Sequence, residues 1–197
     1  MNAPDPELTR PRATARPVPP PAALSWTTVV LPVVAGTAVA VGLGVYGRLH
    51  APAGLSLAVP GFSGTLYAKA WLTTLAFAFA LVQIVTALAL EGRVRLDVPV
   101  LPTVHRWSGR LAVLLTVPVA VHCLYSLGFR PDDPRVLAHS AVGCLVYGAF
   151  VAKMLILVRT GLPRWAVPAA GGLLFTAFVA VWLTSSWWVF TAVGFTF

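Results

Sequence analysis

The sequence predicts an all-α membrane protein of five transmembrane helices, and three observations carry that prediction. Hydrophobic residues fill 58% of the 197 positions and charged residues only 10%, against about 25% charged in a soluble domain. The mean hydropathy is +0.83. All six acidic residues (Asp5, Glu7, Glu91, Asp97, Asp132, Asp133) fall before or between apolar runs, which leaves five runs long enough to cross a hydrocarbon core of about 30 Å. The runs lie near residues 24–46, 66–90, 103–127, 135–158 and 165–188. Helices two to five are expected to form a bundle.

The net charge of +8 does not point to nucleic acid, because the basic residues flank apolar segments instead of covering a polar domain. They read as topology signals. Arg10, Arg12, Arg16, Arg93, Arg95, Arg106, Arg110, Lys153, Arg159 and Arg164 fall on one side, and only Arg48, Lys69, Arg130 and Arg135 on the other. The positive-inside rule then makes the N-terminus cytoplasmic and the C-terminus extracytoplasmic. Residues 1–23 contain seven prolines and three arginines and are expected to be a disordered cytoplasmic tail. The remainder, 24–197, is the five-helix transmembrane domain. The first run exits through Val45-Tyr46-Gly47-Arg48-Leu49-His50 with no small-residue cleavage signal, so it reads as an uncleaved anchor.

The first helix is rich in small residues (Gly36, Gly42, Gly44) and contains Pro32, a composition suited to packing and anchoring. The loop after it, Gly47 to Thr65, contains His50 and several glycines and prolines and is expected to lie along the interface or cap the bundle. In the second helix Lys69, Thr73, Ala76, Ala80 and Gln83 recur at steps of four and three, which aligns them on one face. Gln83 is too deep to reach the headgroups, so an interhelical hydrogen bond turns that seam inward. The third helix opens with His105-Arg106-Trp107-Ser108-Gly109-Arg110 at the cytoplasmic interface, either as an aromatic and basic belt or as a contact for a quinone head group or second cofactor. Pro118 lies one turn before His122 and is expected to kink the helix.

In the fourth helix His139, Gly143, Val146, Phe150 and Lys153 share the four-three spacing. Gly143 leaves room for a flat ring or a close helix. The fifth helix has no ionisable residue after Arg164 and ends in Trp182, Trp187 and Trp188, an expected outer aromatic belt. Cys123 and Cys144 are the only cysteines. They form no CxxC or c-type haem motif and read as small core residues.

His122 and His139 flank the hydrophilic turn Gly128 to Pro134 at matched depth, each about 8 Å inside its helix end. Ionisable side chains at that depth are costly, so the default reading is functional. Two neutral imidazoles can hold a haem iron from both sides, which closes the coordination shell and suits electron transfer. Lys69, Arg130, Arg135 and Arg48 lie near the same face and would pair with the propionates. Two other readings stay open: interhelical polar glue, and another metal or a proton relay. A secondary inner-face site would use His105, Arg106 and Lys153.

The inward histidines, with His-Arg-x-x-Gly-Arg at the start of one helix, resemble bacterial b-type cytochromes of the ferric-reductase-like membrane superfamily. More closely, the whole chain resembles an uncharacterised family of small integral membrane proteins from high-GC bacteria. The cytochrome resemblance covers helices two to five and implies haem b, a bacterial plasma membrane, and a quinone or redox-protein partner. In that superfamily two histidine pairs commonly hold two haems, one near each face. Here only His122 and His139 match as a pair, and Lys153 occupies the comparable inner region of helix four. No GxGxxG or P-loop is present to bind a nucleotide, so the chain is at most the membrane electron-transfer component of an oxidoreductase. The expectation is a b-type electron carrier with one bis-histidine haem near the extracytoplasmic face. The alternative is a cofactor-free structural or assembly subunit of a membrane complex.

Overall fold

In lipid, a chain must satisfy its backbone polar groups internally, and helices are the simplest way to do so. The computed structural model describes residues 27–56 and 59–196, and among them every regular element is helical. They are α1 (Thr27–Leu49), α2 (Thr65–Leu90), α3 (Leu101–His122), α4 (Pro134–Leu157), α5 (Ala166–Trp182) and the short α6 (Trp188–Ala192). A π-helical turn, Cys123–Leu127, prolongs α3, and another, Leu183–Trp187, joins α5 to α6. Five helical segments are thus long and apolar enough to cross a membrane. They match the five expected runs to within a few residues. The expected tail, 1–23, lies outside the described residues.

The first helix is more than an anchor. α1 packs along α4, α4 on α5, α5 on α2 and α2 on α3. Small residues make the first contact possible: a Cβ on Gly36 would fall on the carbonyl oxygen of Gly148 and within 2.8 Å of the Ala152 Cβ. A Cβ on Gly148 would likewise meet the Gly36 carbonyl and the Ala40 Cβ, the latter at 2.8 Å. Such small-residue stripes let membrane helices touch backbone to backbone.

The seam read on α2 does face inward. Thr73, Ala76 and Ala80 are buried, and Ala76 and Ala80 join Val146, Ala177 and Phe178 in the largest apolar cluster. Gln83 makes the expected interhelical bonds, its Nε2 donating to the His105 carbonyl and, at 2.8 Å, to Ser108 Oγ. Gly109 permits this, since a Cβ there would stand 3.1 Å from the Gln83 amide. Trp182 packs against Trp187 at 5.6 Å and also ties α5 to α2: its Nε1 donates to Thr74 Oγ1 at 3.1 Å and its ring stacks on Phe77 at 4.7 Å.

α3 runs without a break through Pro118, and a π-helical widening follows five residues later, at the Cys123–Leu127 turn. The loop after α1 does act as a cap, and it caps that turn: Ala53 N donates to the Tyr125 carbonyl at 3.1 Å and Gly54 N to that of Ser126 at 3.2 Å. α4 begins with Asp133 as N-cap, its carboxylate accepting from Arg135 N at 2.7 Å and Val136 N at 3.0 Å. These bonds hold the Asp133 carboxyl below its usual pKa of 3.8.

Gly36→Leu or Gly148→Leu should lower the thermal unfolding temperature in detergent, by a forced separation that costs about 1–3 kcal/mol. Gly42→Ala, where a Cβ meets nothing within 4 Å, should be neutral. Asp133→Ala should also destabilise. Because the folded pKa is depressed, the wild-type advantage should be complete above about pH 4 and disappear as the pH falls through the folded value, as followed by unfolding of both proteins across a pH series.

Candidate functional site

α3 and α4 are consecutive in sequence, yet α3 packs on α2 and α4 on α1 and α5. Between α3 and α4, where Tyr147 Oη donates to Thr116 Oγ1 at 3.0 Å, lies a cavity of about 340 Å³. That is within the usual range for small-ligand and cofactor sites. Its walls are largely apolar, with Val119, Leu124, Val146 and Phe178 among them. Both π-helical turns form part of its lining, through Cys123, Leu124 and Leu127 on one side and Thr184, Ser185 and Ser186 on the other. Turns of this type are rare and recur at functional sites.

Four residues singled out from the sequence converge here: His139, Lys69, Arg130 and Arg135 all line the cavity. No Asp or Glu does. Lys69 has no hydrogen-bond or ion-pair partner among the described residues. Arg135 is fixed by two contacts, donating from Nη1 to the Thr184 carbonyl at 2.8 Å and lying 3.8 Å from the centre of the Trp188 ring. Arg130 shares its charge with Asp132 at 3.3 Å, an exposed pair.

His139 is held in one tautomer. Its Nδ1 lies 3.2 Å from Thr184 Oγ1, whose own proton goes to the Ala180 carbonyl at 2.7 Å. With the Thr184 proton spent on helix carbonyls, the neutral imidazole donates from Nδ1, and its Nε2 is then the acceptor. An imidazole fixed in this way through its second nitrogen is the usual arrangement of a metal-ligating histidine. Gly143, one turn along α4, also lines the cavity, and a Cβ there would meet nothing within 4 Å. The space beside His139 is open to a flat ring. Ser186 Oγ is buried and has no partner, a hydroxyl left over at the cavity wall.

His122 is not brought into this lining. Its Nε2 donates to the Leu55 carbonyl at 2.8 Å, and its Nδ1 is buried with no partner. Its neighbour Cys123, about 100° round the helix, faces the cavity instead. Lys69 remains close enough to act electrostatically on both His122 and His139. Sequence reasoning missed Thr184, Ser186 and the π-helical turns. The Thr-Ser-Ser run at 184–186 inside an apolar helix was the available signal.

At the opposite end His105 repeats the construction. Its Nδ1 meets Thr86 Oγ1 at 2.8 Å, and that hydroxyl donates to the Val82 carbonyl at 2.7 Å. Lys153 is close enough to act on His105 electrostatically, whereas Arg106 is exposed. Among the described residues no three His, Cys, Asp or Glu side chains converge as a bare metal ion would need. A haem iron asks less of the protein, since the porphyrin supplies four of its ligands.

Thr184→Val should lower stability by about 1 kcal/mol through loss of the His139 acceptor, with Thr184→Ser closer to wild type. Ser186→Ala, which removes a hydroxyl without a partner, should cost nothing measurable in the same thermal unfolding assay.

Residues 29–197 match the model of a family described as a family of unknown function, DUF6529. No curated protein and no solved structure matches the chain.

Proposed function

The chain belongs to the DUF6529 family, and from that premise we propose that it is a multi-pass b-type electron carrier of a bacterial plasma membrane, working with a quinone or redox-protein partner. One observation carries the reading. His139, with Nε2 as its acceptor nitrogen, shares a largely apolar cavity with Lys69, Arg130 and Arg135 and with no carboxylate. That donor set fits haem b: an imidazole for the iron, an open wall at Gly143 for the ring, and cations for the two propionates. Bound there, haem supplies one-electron redox chemistry.

The protein's own groups do the rest. Thr184 orients His139 through its hydroxyl and Arg135 through its carbonyl, so one residue positions both the iron ligand and a propionate partner. His122 belongs to the site only if its Nε2–H bond to Leu55 opens, so His139 is the residue that would hold the iron. With the N-terminus cytoplasmic, the distribution of Lys and Arg puts the His139 end on the extracytoplasmic side. His105, Arg106 and Lys153 would make a secondary inner-face site, in which Thr86 orients the His105 imidazole.

A second reading, a cofactor-free structural or assembly subunit, has its own support. The Thr86–His105, Gln83–Ser108 and Trp182–Thr74 bonds link helices and would serve as well in a protein with no cofactor.

The visible spectrum of detergent-purified protein expressed with ample haem, oxidised and then dithionite-reduced, separates the two. The expected result is a Soret band that His139→Ala abolishes and His105→Ala spares. Absence of the band in the wild type overturns the cytochrome reading. In His122→Ala an unchanged line shape means that His122 stays on Leu55, and a shift from low to high spin means that it reaches the iron.

A further inference from the structure

A second cavity, of about 370 Å³, opens at the His139 end, between the end of α1, the loop after it and the turn that leads to α4. Its lining includes Arg48, His50, Pro52, Ser126, Arg130 and Asp132. It shares the segment Leu127-Gly128-Phe129-Arg130 with the first cavity, so one turn forms a wall of both. That wall is pinned to α1, because Phe129 N donates to the Gly47 carbonyl at 2.7 Å. Gly128 (φ +69°) lies so close to it that a Cβ would stand 3.0 Å from the same carbonyl.

His50 is the unusual member. Its ring is sandwiched between Tyr46 at 5.0 Å and Tyr125 at 4.8 Å, which fixes it in place. Its Nε2 is buried and has no partner, and a buried polar atom of this kind is costly unless something meets it. Two guanidinium groups flank the same space. Arg48 has no ion-pair partner among the described residues, and Arg130 is held only by the exposed Asp132. Asp132 is the one carboxylate in the lining, so the cavity carries an excess of positive charge.

We propose that this second cavity is an oxyanion site that takes a phosphate group, with Arg48 and Arg130 as charge partners and His50 Nε2–H as an oriented donor. A guanidinium is suited to the planar, two-point recognition of phosphate. The entering anion competes with Asp132 for Arg130. The site lies at the helix ends, where lipid phosphates and soluble phosphates are both within reach, and the chemistry is the same for either source. It can form with or without haem, because Arg48 and His50 line this cavity alone and Arg130 is the one cation it shares with the first.

The test uses the full chain in nanodiscs. Inorganic phosphate is titrated by calorimetry into protein in phosphatidylcholine discs, and retained lipid is read by native mass spectrometry after reconstitution with phosphatidylglycerol. Saturable binding of free phosphate identifies a soluble ligand, and selective retention of phosphatidylglycerol identifies a headgroup. Either result should weaken about tenfold or more in Arg48→Gln and in His50→Phe, and the second variant keeps the aromatic sandwich. His139→Ala should not weaken it. Binding of neither probe, equal binding by both variants, or loss in His139→Ala overturns the proposal. If His50→Phe fails to fold by circular dichroism, Arg48→Gln decides alone.

Discussion

The contact on which the arrangement depends is the backbone approach of α1 to α4 at Gly36 and Gly148. Membrane helices gain little from burying apolar side chains against each other, because lipid tails are equally apolar, so close packing has to supply the association. The pair Gly36 and Ala40 meets Gly148 and Ala152 with no side chain in between, and α1 becomes a full neighbour of α4. With α1 and α5 on its other sides, α4 faces α3 across a gap bridged by Tyr147 and Thr116. The cavity follows from that choice of neighbours. Two helices joined by a short turn would ordinarily pack together, and here each packs on something else.

The π-helical turns are the second constraint. A wide turn disturbs the regular i→i−4 ladder, and a backbone group freed in lipid needs another partner. At the turn after α5 the Thr184 carbonyl receives Arg135, and at the turn after α3 the carbonyls of Tyr125 and Ser126 receive the amides of Ala53 and Gly54. The widening thus recruits partners from other elements. It also explains why the loop after α1 is tied down over the end of α3, and why His122, at the start of that turn, ends up on Leu55. The two His-Thr pairs follow a common rule: each threonine gives its proton to its own helix and offers its oxygen to an imidazole on a neighbour.

Most of the fold and part of the site were legible in the sequence. The five spans follow from length and hydropathy alone. The α2 seam from Lys69 to Gln83 and the α4 face with His139, Gly143 and Val146 follow from the helical period, and the structure turns both inward. What period cannot supply is the neighbour. Nothing local says that Gly36 meets Gly148, more than a hundred residues away, or that Trp182 donates to Thr74. Nor does depth give direction. His122 and His139 were matched by distance from their helix ends, but facing is set by rotation, and the helix turned Cys123 to the cavity and His122 to the loop.

The lining of the first cavity also bears on the ligand proposed for it. The cavity is a partly open cleft between helices, and a cleft that met only hydrocarbon would need only apolar atoms in its lining. This one is lined by an unpaired ammonium, a guanidinium fixed by two contacts, an imidazole held in one tautomer and a serine hydroxyl with no partner. Cations without carboxylates are costly next to hydrocarbon, and their placement is explained if an anionic group enters to meet them. The apolar remainder of the wall then requires that the group be attached to something flat or greasy. An amphiphile with one charged edge meets both demands, and an imidazole beside it extends the chemistry to a bound metal.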